Sequence, residues 1–135
     1  MTGAYVANKD LSGLVYQMTI RFRSHWYILV YVWRDETSLR ANTNFKRDDH
    51  VGAYVAYPGR LKTRGKFGEI HLVRELIGAG YVSHELQHFL FDWFFTVEWT
   101  RNINEKMADL AGEVTRKFWN QYYESEEGVD HERTR

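Results

Sequence analysis

A chain of 135 residues with 18 Lys plus Arg against 18 Asp plus Glu has room for one hydrophobic core and no net charge to draw it to nucleic acid or an anionic membrane. It contains no cysteine, which excludes disulfides and thiolate ligands and leaves His and carboxylate as its strong metal ligands. That fits a reducing cytoplasm, the expected location, though it also permits other compartments, and no basic segment followed by an apolar run opens the sequence as a signal peptide would.

The first third reads as a small sheet. Leu14 to Phe22 alternates in its second half, and His25 to Trp33 is dense in aromatic and β-branched residues. Both are expected as strands, with Ser24 and His25 near the turn between them. Leu14 to Gln17 reads equally well as the end of an N-terminal helix. The polar stretch from Arg34 to Asp49 is expected as a loop, and Ala53 to Tyr57 as another strand, stopped by Pro58 and Gly59. Arg60, Lys62, Arg64 and Lys66 follow without an intervening acid. A phosphate-contacting loop and a solvated hairpin tip share that composition; with no aromatic interleaved, the tip is favoured and nucleic acid is not an expected partner. Phe67 to Val73 is expected as a strand with Ile70 and Leu72 on one face and His71 and Val73 on the other. His71 is read as a hydrogen-bonded strand residue rather than a ligand.

The run from Ile77 to Val97 is apolar but interrupted by His84, Glu85, His88 and Asp92, so it reads as a central helix and not as a membrane span. At 100° per residue, Ile77, Tyr81, His84, His88, Phe91 and Phe95 share one stripe, with Val82, Leu86, Phe89 and Trp93 opposite. Two His four apart can offer their nitrogens to one metal ion. Glu85, to one side of the pair, can take a proton from a metal-bound water. That is the chemistry of a zinc peptidase. The plainer alternative is three polar residues hydrogen-bonded to the backbone or to one another.

A second helix is expected from Ile103 to about Tyr123, capped by Asn102 or Asn104. Glu105, Asp109, Arg116 and Tyr123 form a stripe opposite Met107, Leu110, Val114 and Phe118. Glu105 can supply a third ligand, and Asp109 can hold a ligand imidazole by its free ring nitrogen; a solvated helix face is the alternative. Arg116, Tyr123 and Tyr81 are weighed as oxyanion donors and read as packing or surface residues.

His84-Glu85-Leu86-Gln87-His88 followed by Asn104-Glu105-Lys106-Met107-Ala108-Asp109 resembles the gluzincin metallopeptidases, whose HExxH helix precedes a helix with an NExx(S/A)D-like motif. It is also similar to the small cytoplasmic zincins of phages and mobile elements, whose second motif reads ExxAD. The resemblance covers roughly Gly68 to Tyr123. It implies His84, His88 and Glu105 as zinc ligands, Glu85 as general base and Asp109 as the partner of a ligand His. It further implies that Glu69 to Val73 resembles the edge strand along which such enzymes lay an extended substrate.

The expectation is therefore an α+β minimal zincin-like fold, a small, largely antiparallel sheet packed on the His84–His88 helix and the Glu105 helix. Residues 1–123 would form a single metallopeptidase-like domain and residues 124–135 a polar tail. The expected activity is Zn2+-dependent hydrolysis of a protein or peptide substrate. The alternative is a zinc-containing, non-catalytic interaction protein of phage or mobile-element type that binds a host or viral protein. Eight Phe, nine Tyr and five Trp exceed what one small core usually holds, so exposed aromatics serving a partner or a homo-oligomer are expected in either case.

Overall fold

The structure, a computed structural model, describes residues 5–43, 52–59 and 64–125. Four strands, β1 (Leu14–Phe22), β2 (Trp26–Trp33), β3 (Ala53–Ala56) and β4 (Lys66–Val73), form one sheet in the order β1-β2-β4-β3. The helices are α1 (Glu36–Thr43), α2 (Ala79–Thr96) and α3 (Ile103–Glu124). The α+β class agrees with expectation, and so do β1 and β2. Leu14 begins a strand, preceded by a single 3-10 turn at Leu11–Gly13. Arg23 and Ser24 take positive φ in the turn that joins the two strands.

Three features differ from the expectation. The central pairing, β2 with β4, is parallel, while β1–β2 and β3–β4 are antiparallel. Strand β4 is consequently interior, and β3, not Glu69 to Val73, is the edge strand on that side. The polar stretch after Trp33 contains α1. Its start is fixed by Asp35, whose Oδ1 accepts the Ser38 N–H at 2.8 Å, and Arg40 reaches back one turn to Glu36 at 2.6 Å. Leu39 is the one apolar residue this helix buries, with Tyr31, Trp33 and Val73, while buried Asn42 exchanges hydrogen bonds with the Asp10 backbone; one apolar residue leaves no periodicity to read. The basic positions Arg60 and Lys62 and residues 126–135 of the polar tail lie outside the described residues.

Alternation along the strands divides the core in two. Met18, Ile20, Phe22, Ile28, Val30, Val32, Ile70 and Leu72 face α2 and α3, which contribute Val82, Leu86, Phe89 and Trp93 from one and Leu110, Val114, Phe118 and Tyr122 from the other. The opposite face carries Tyr31, Trp33 and Val73 beneath α1. Covered on both sides, β2 reads as an unbroken apolar run. Helix α2 packs on β3, β4 and α3, and α3 packs on β1. No helix among the described residues is long and apolar enough to cross a membrane.

Candidate metal centre

Helix α2 buries the expected stripe of Val82, Leu86, Phe89 and Trp93. Its other face departs from the expectation of a fully buried helix. His84 is exposed, His88 half-buried, and Phe91 and Phe95 are exposed. The two imidazoles sit on successive turns with ring centroids 5.0 Å apart. Glu85 lies 100° round the helix from His84 and turns toward β3, where it is 2 % exposed.

Each of His84, Glu85 and His88 can present one ligand atom within 4.8 Å of the other two. Glu85 Oε2 is buried and has no hydrogen-bond partner among the described residues. An orphaned carboxylate oxygen in a folded core calls for a proton, a water or a cation beside it. Burial pushes the Glu85 carboxyl up to about 7. The donor set of two imidazoles and a carboxylate suits zinc and its first-row neighbours.

Gly52, just ahead of β3, and Tyr81 of α2 enclose Glu85. A Cβ on Gly52 would stand 3.1 Å from Glu85 Cδ and 3.1 Å from Tyr81 Cε1, so a residue without a side chain lets the chain leading into β3 close over Glu85. Tyr81 takes the Val73 N–H on its hydroxyl oxygen at 2.9 Å, which ties the end of β4 to the first turn of α2. Burial raises the Tyr81 hydroxyl well above its ordinary range.

The second motif stands one helix away. Glu105 and Asp109 are both exposed on α3, and neither belongs to the group formed by His84, Glu85 and His88. The helix start at Ile103 and the buried stripe of Leu110, Val114 and Phe118 agree with the sequence. The contact of Gln87 Nε2 with Met107 Sδ at 3.9 Å brings together two side chains from the middle of each motif: Gln87 lies between the two His, and Met107 between Glu105 and Asp109. Arg116 is exposed, and Tyr123 stacks on Trp119 with centroids 5.4 Å apart.

No protein-family model matches the chain, and no curated protein or solved structure matches it.

A second polar cluster lies on the far face of the sheet, and the sequence reading passed over most of it. His71 is hydrogen-bonded, as expected, and fully buried. Trp33 Nε1 donates to its Nδ1 at 2.9 Å, so the ring proton sits on Nε2 and is donated to Glu69 Oε1 at 2.8 Å. Tyr57 donates its hydroxyl to Glu69 Oε2 at 2.6 Å, and Lys9 Nζ lies 3.0 Å from Glu69 Oε1. Burial pushes the Glu69 carboxyl up, but His71, Tyr57 and Lys9 together outweigh it, and the group sits below its usual value. Burial holds His71 below the ordinary imidazole range against the pull of Glu69. One signal was available: Glu69 and His71 are two apart on a strand and so share a face.

Proposed function

We propose that the chain is a zinc-dependent peptidase. The observation that carries this reading is the position of Glu85, a buried carboxylate with one oxygen unpaired among the described residues, inside a group that includes two imidazoles on adjacent turns. His84 and His88 would hold the ion, with Glu105 as the third ligand and Asp109 orienting a ligand imidazole. The Gln87–Met107 contact between the two motifs supports that pairing. Bound zinc would supply a Lewis acid for a peptide carbonyl and a lowered pKa for water. Glu85 takes one proton from water as its oxygen bonds to the carbonyl carbon, then returns it to the amine as the C–N bond breaks. The closure of Gly52 over Glu85 keeps that carboxylate in one place and away from bulk water.

The test is zinc content by elemental analysis together with turnover of a mixed peptide library. Zinc-loaded protein that cleaves, and a Glu85→Gln variant that keeps zinc but loses turnover by about 100-fold or more, support the reading. Zinc without turnover favours the second reading, a zinc-containing interaction protein. The observation behind that alternative is the run of exposed aromatics on α2.

A further inference from the structure

On the face of the sheet turned away from α2, α1 packs over Trp33 and Val73, and Lys9 lies against Tyr31 and Glu69. The opposite end of the same face carries a different row. Arg21, Tyr27 and Lys66 stand beside one another on β1, β2 and β4, so all three project to the side away from their buried neighbours Ile20, Phe22, Ile28 and Phe67. Arg21 is exposed, and Tyr27 and Lys66 are half-buried. The Arg21 guanidinium lies over the Tyr27 ring, 5.6 Å from its centroid.

The turn into β4 adds a third cation. Gly65 has φ 86°, a Cβ there would stand 2.5 Å from the His25 carbonyl oxygen, and its own carbonyl accepts the Tyr27 N–H at 2.9 Å. This close approach, open to glycine alone, fixes exposed Arg64 next to Lys66 at the margin of the row. Arg21, Arg64 and Lys66 make no ion pair among the described residues. In a chain of zero net charge such a local excess favours an anion at that surface. A merely solvated face needs charge only; here a ring with a guanidinium on it stands among the cations, and a nucleobase stacks on such a surface. The basic stretch before β4 holds no aromatic of its own, and the parallel pairing of β2 with β4 brings Tyr27 to it.

We propose that this end of the sheet binds single-stranded nucleic acid: Arg21, Arg64 and Lys66 hold backbone phosphates, and Tyr27 with the Arg21 guanidinium takes a base by stacking. The row crosses two strand spacings, about 10 Å, and only an unpaired base offers its face to a ring set in a flat sheet. The surface lies across the sheet from His84, Glu85 and His88, and the inference stands apart from the peptidase reading.

The experiment is fluorescence anisotropy of the full chain with dye-labelled oligothymidylate and oligouridylate of about 12 nucleotides, between about 50 and 200 mM salt. Binding should weaken with salt at a log–log slope of about −2, which is three phosphates at about −0.7 each; the tighter of the two ligands identifies the strand as DNA or RNA. Arg21→Gln and Lys66→Gln should each reduce the slope by about 0.7. Tyr27→Leu should weaken binding about 10-fold at an unchanged slope, and Tyr27→Phe should restore it. Melting temperatures check the fold of each variant, and Arg21→Gln, on an exposed side chain, keeps the test decisive if Tyr27→Leu fails to fold. No binding of either oligonucleotide at the lower salt, equal binding of a duplex, or affinities unchanged in Arg21→Gln and Lys66→Gln overturn the inference. Capture by phosphatidylserine vesicles without binding of either oligonucleotide also overturns it, and assigns the cations to a membrane surface.

Discussion

Trp33 and His71, on neighbouring parallel strands, are joined by an indole N–H donated to Nδ1 at 2.9 Å, with their rings only 6° from parallel. Tyr31 stacks on the same imidazole at 4.9 Å. A ring gripped in this way cannot accept a proton at Nδ1 without breaking the bond to Trp33. The folded protein therefore keeps His71 neutral where the unfolded chain would protonate it. Because the unfolded state binds the extra proton, stability must rise with pH across that window. As pH falls below about 6.5, the unfolded imidazole value, this residue should cost about 1.4 kcal/mol per pH unit until its own lowered folded value is reached. Urea midpoints measured from pH 7 to 5 on the native chain and on His71→Gln should show the slope in the first and a shallower one in the second.

Glu69 adds a second limb at lower pH. Its folded value is depressed, so its contribution is complete above the unfolded carboxylate value of about 4.3 and is lost as pH falls through the folded one. Acid unfolding should steepen there. Glu69→Gln, which leaves Lys9 without its anion in a buried setting, should cost about 3–5 kcal/mol at neutral pH. Tyr57→Phe, which removes one hydrogen bond to the carboxylate, should cost about 1.5–3 kcal/mol. Equal losses from the two variants would mean that Lys9 contributes nothing.

For the metal, His84→Ala and His88→Ala should each lower zinc affinity and abolish the rise in melting temperature on adding zinc, since only the folded chain presents both imidazoles. Retained zinc stoichiometry in either variant would remove that residue from the site.

Glu105→Ala should weaken zinc far more than Asp109→Ala, whose expected effect is about 10- to 100-fold. Glu113, two turns beyond Glu105 and 3.6 Å from Lys117, is the internal control and should tolerate Ala at near-normal affinity. Zinc titrations of all three at one pH give the order; normal binding by all three would show the likeness of the second motif to be accidental.

Gly52→Ala tests the wall over the base. The added methyl meets Glu85 and Tyr81 at 3.1 Å, so the carboxylate must shift by a few tenths of an ångström. Turnover should fall while zinc content holds, because positioning of a general base is more sensitive to such a shift than ligation by two other residues. Unchanged turnover would mean that Glu85 has slack.

Local pattern alone determined a good part of this protein. The HExxH spacing put His84, Glu85 and His88 on neighbouring turns, and the 3.6-residue periodicity of α3 separated its buried stripe from Glu105 and Asp109. Alternation marked β1 and β4, and the doubly apolar run marked β2. These are consequences of backbone geometry, which acts over a few residues and is therefore written locally. What the tertiary structure decided depends on partners far away in the chain. The parallel pairing of β2 with β4 makes β3 the edge strand, and no segment of either strand records its neighbour. One face of α2 was expected to be buried because it is apolar, yet Phe91 and Phe95 stay exposed: apolar character says what a face prefers, and only the placement of other elements decides whether it is covered. Glu69 and Lys9, 60 residues apart, form an ion pair that neither side chain signals alone, because burial of a charge becomes tolerable only where the fold brings its partners to it.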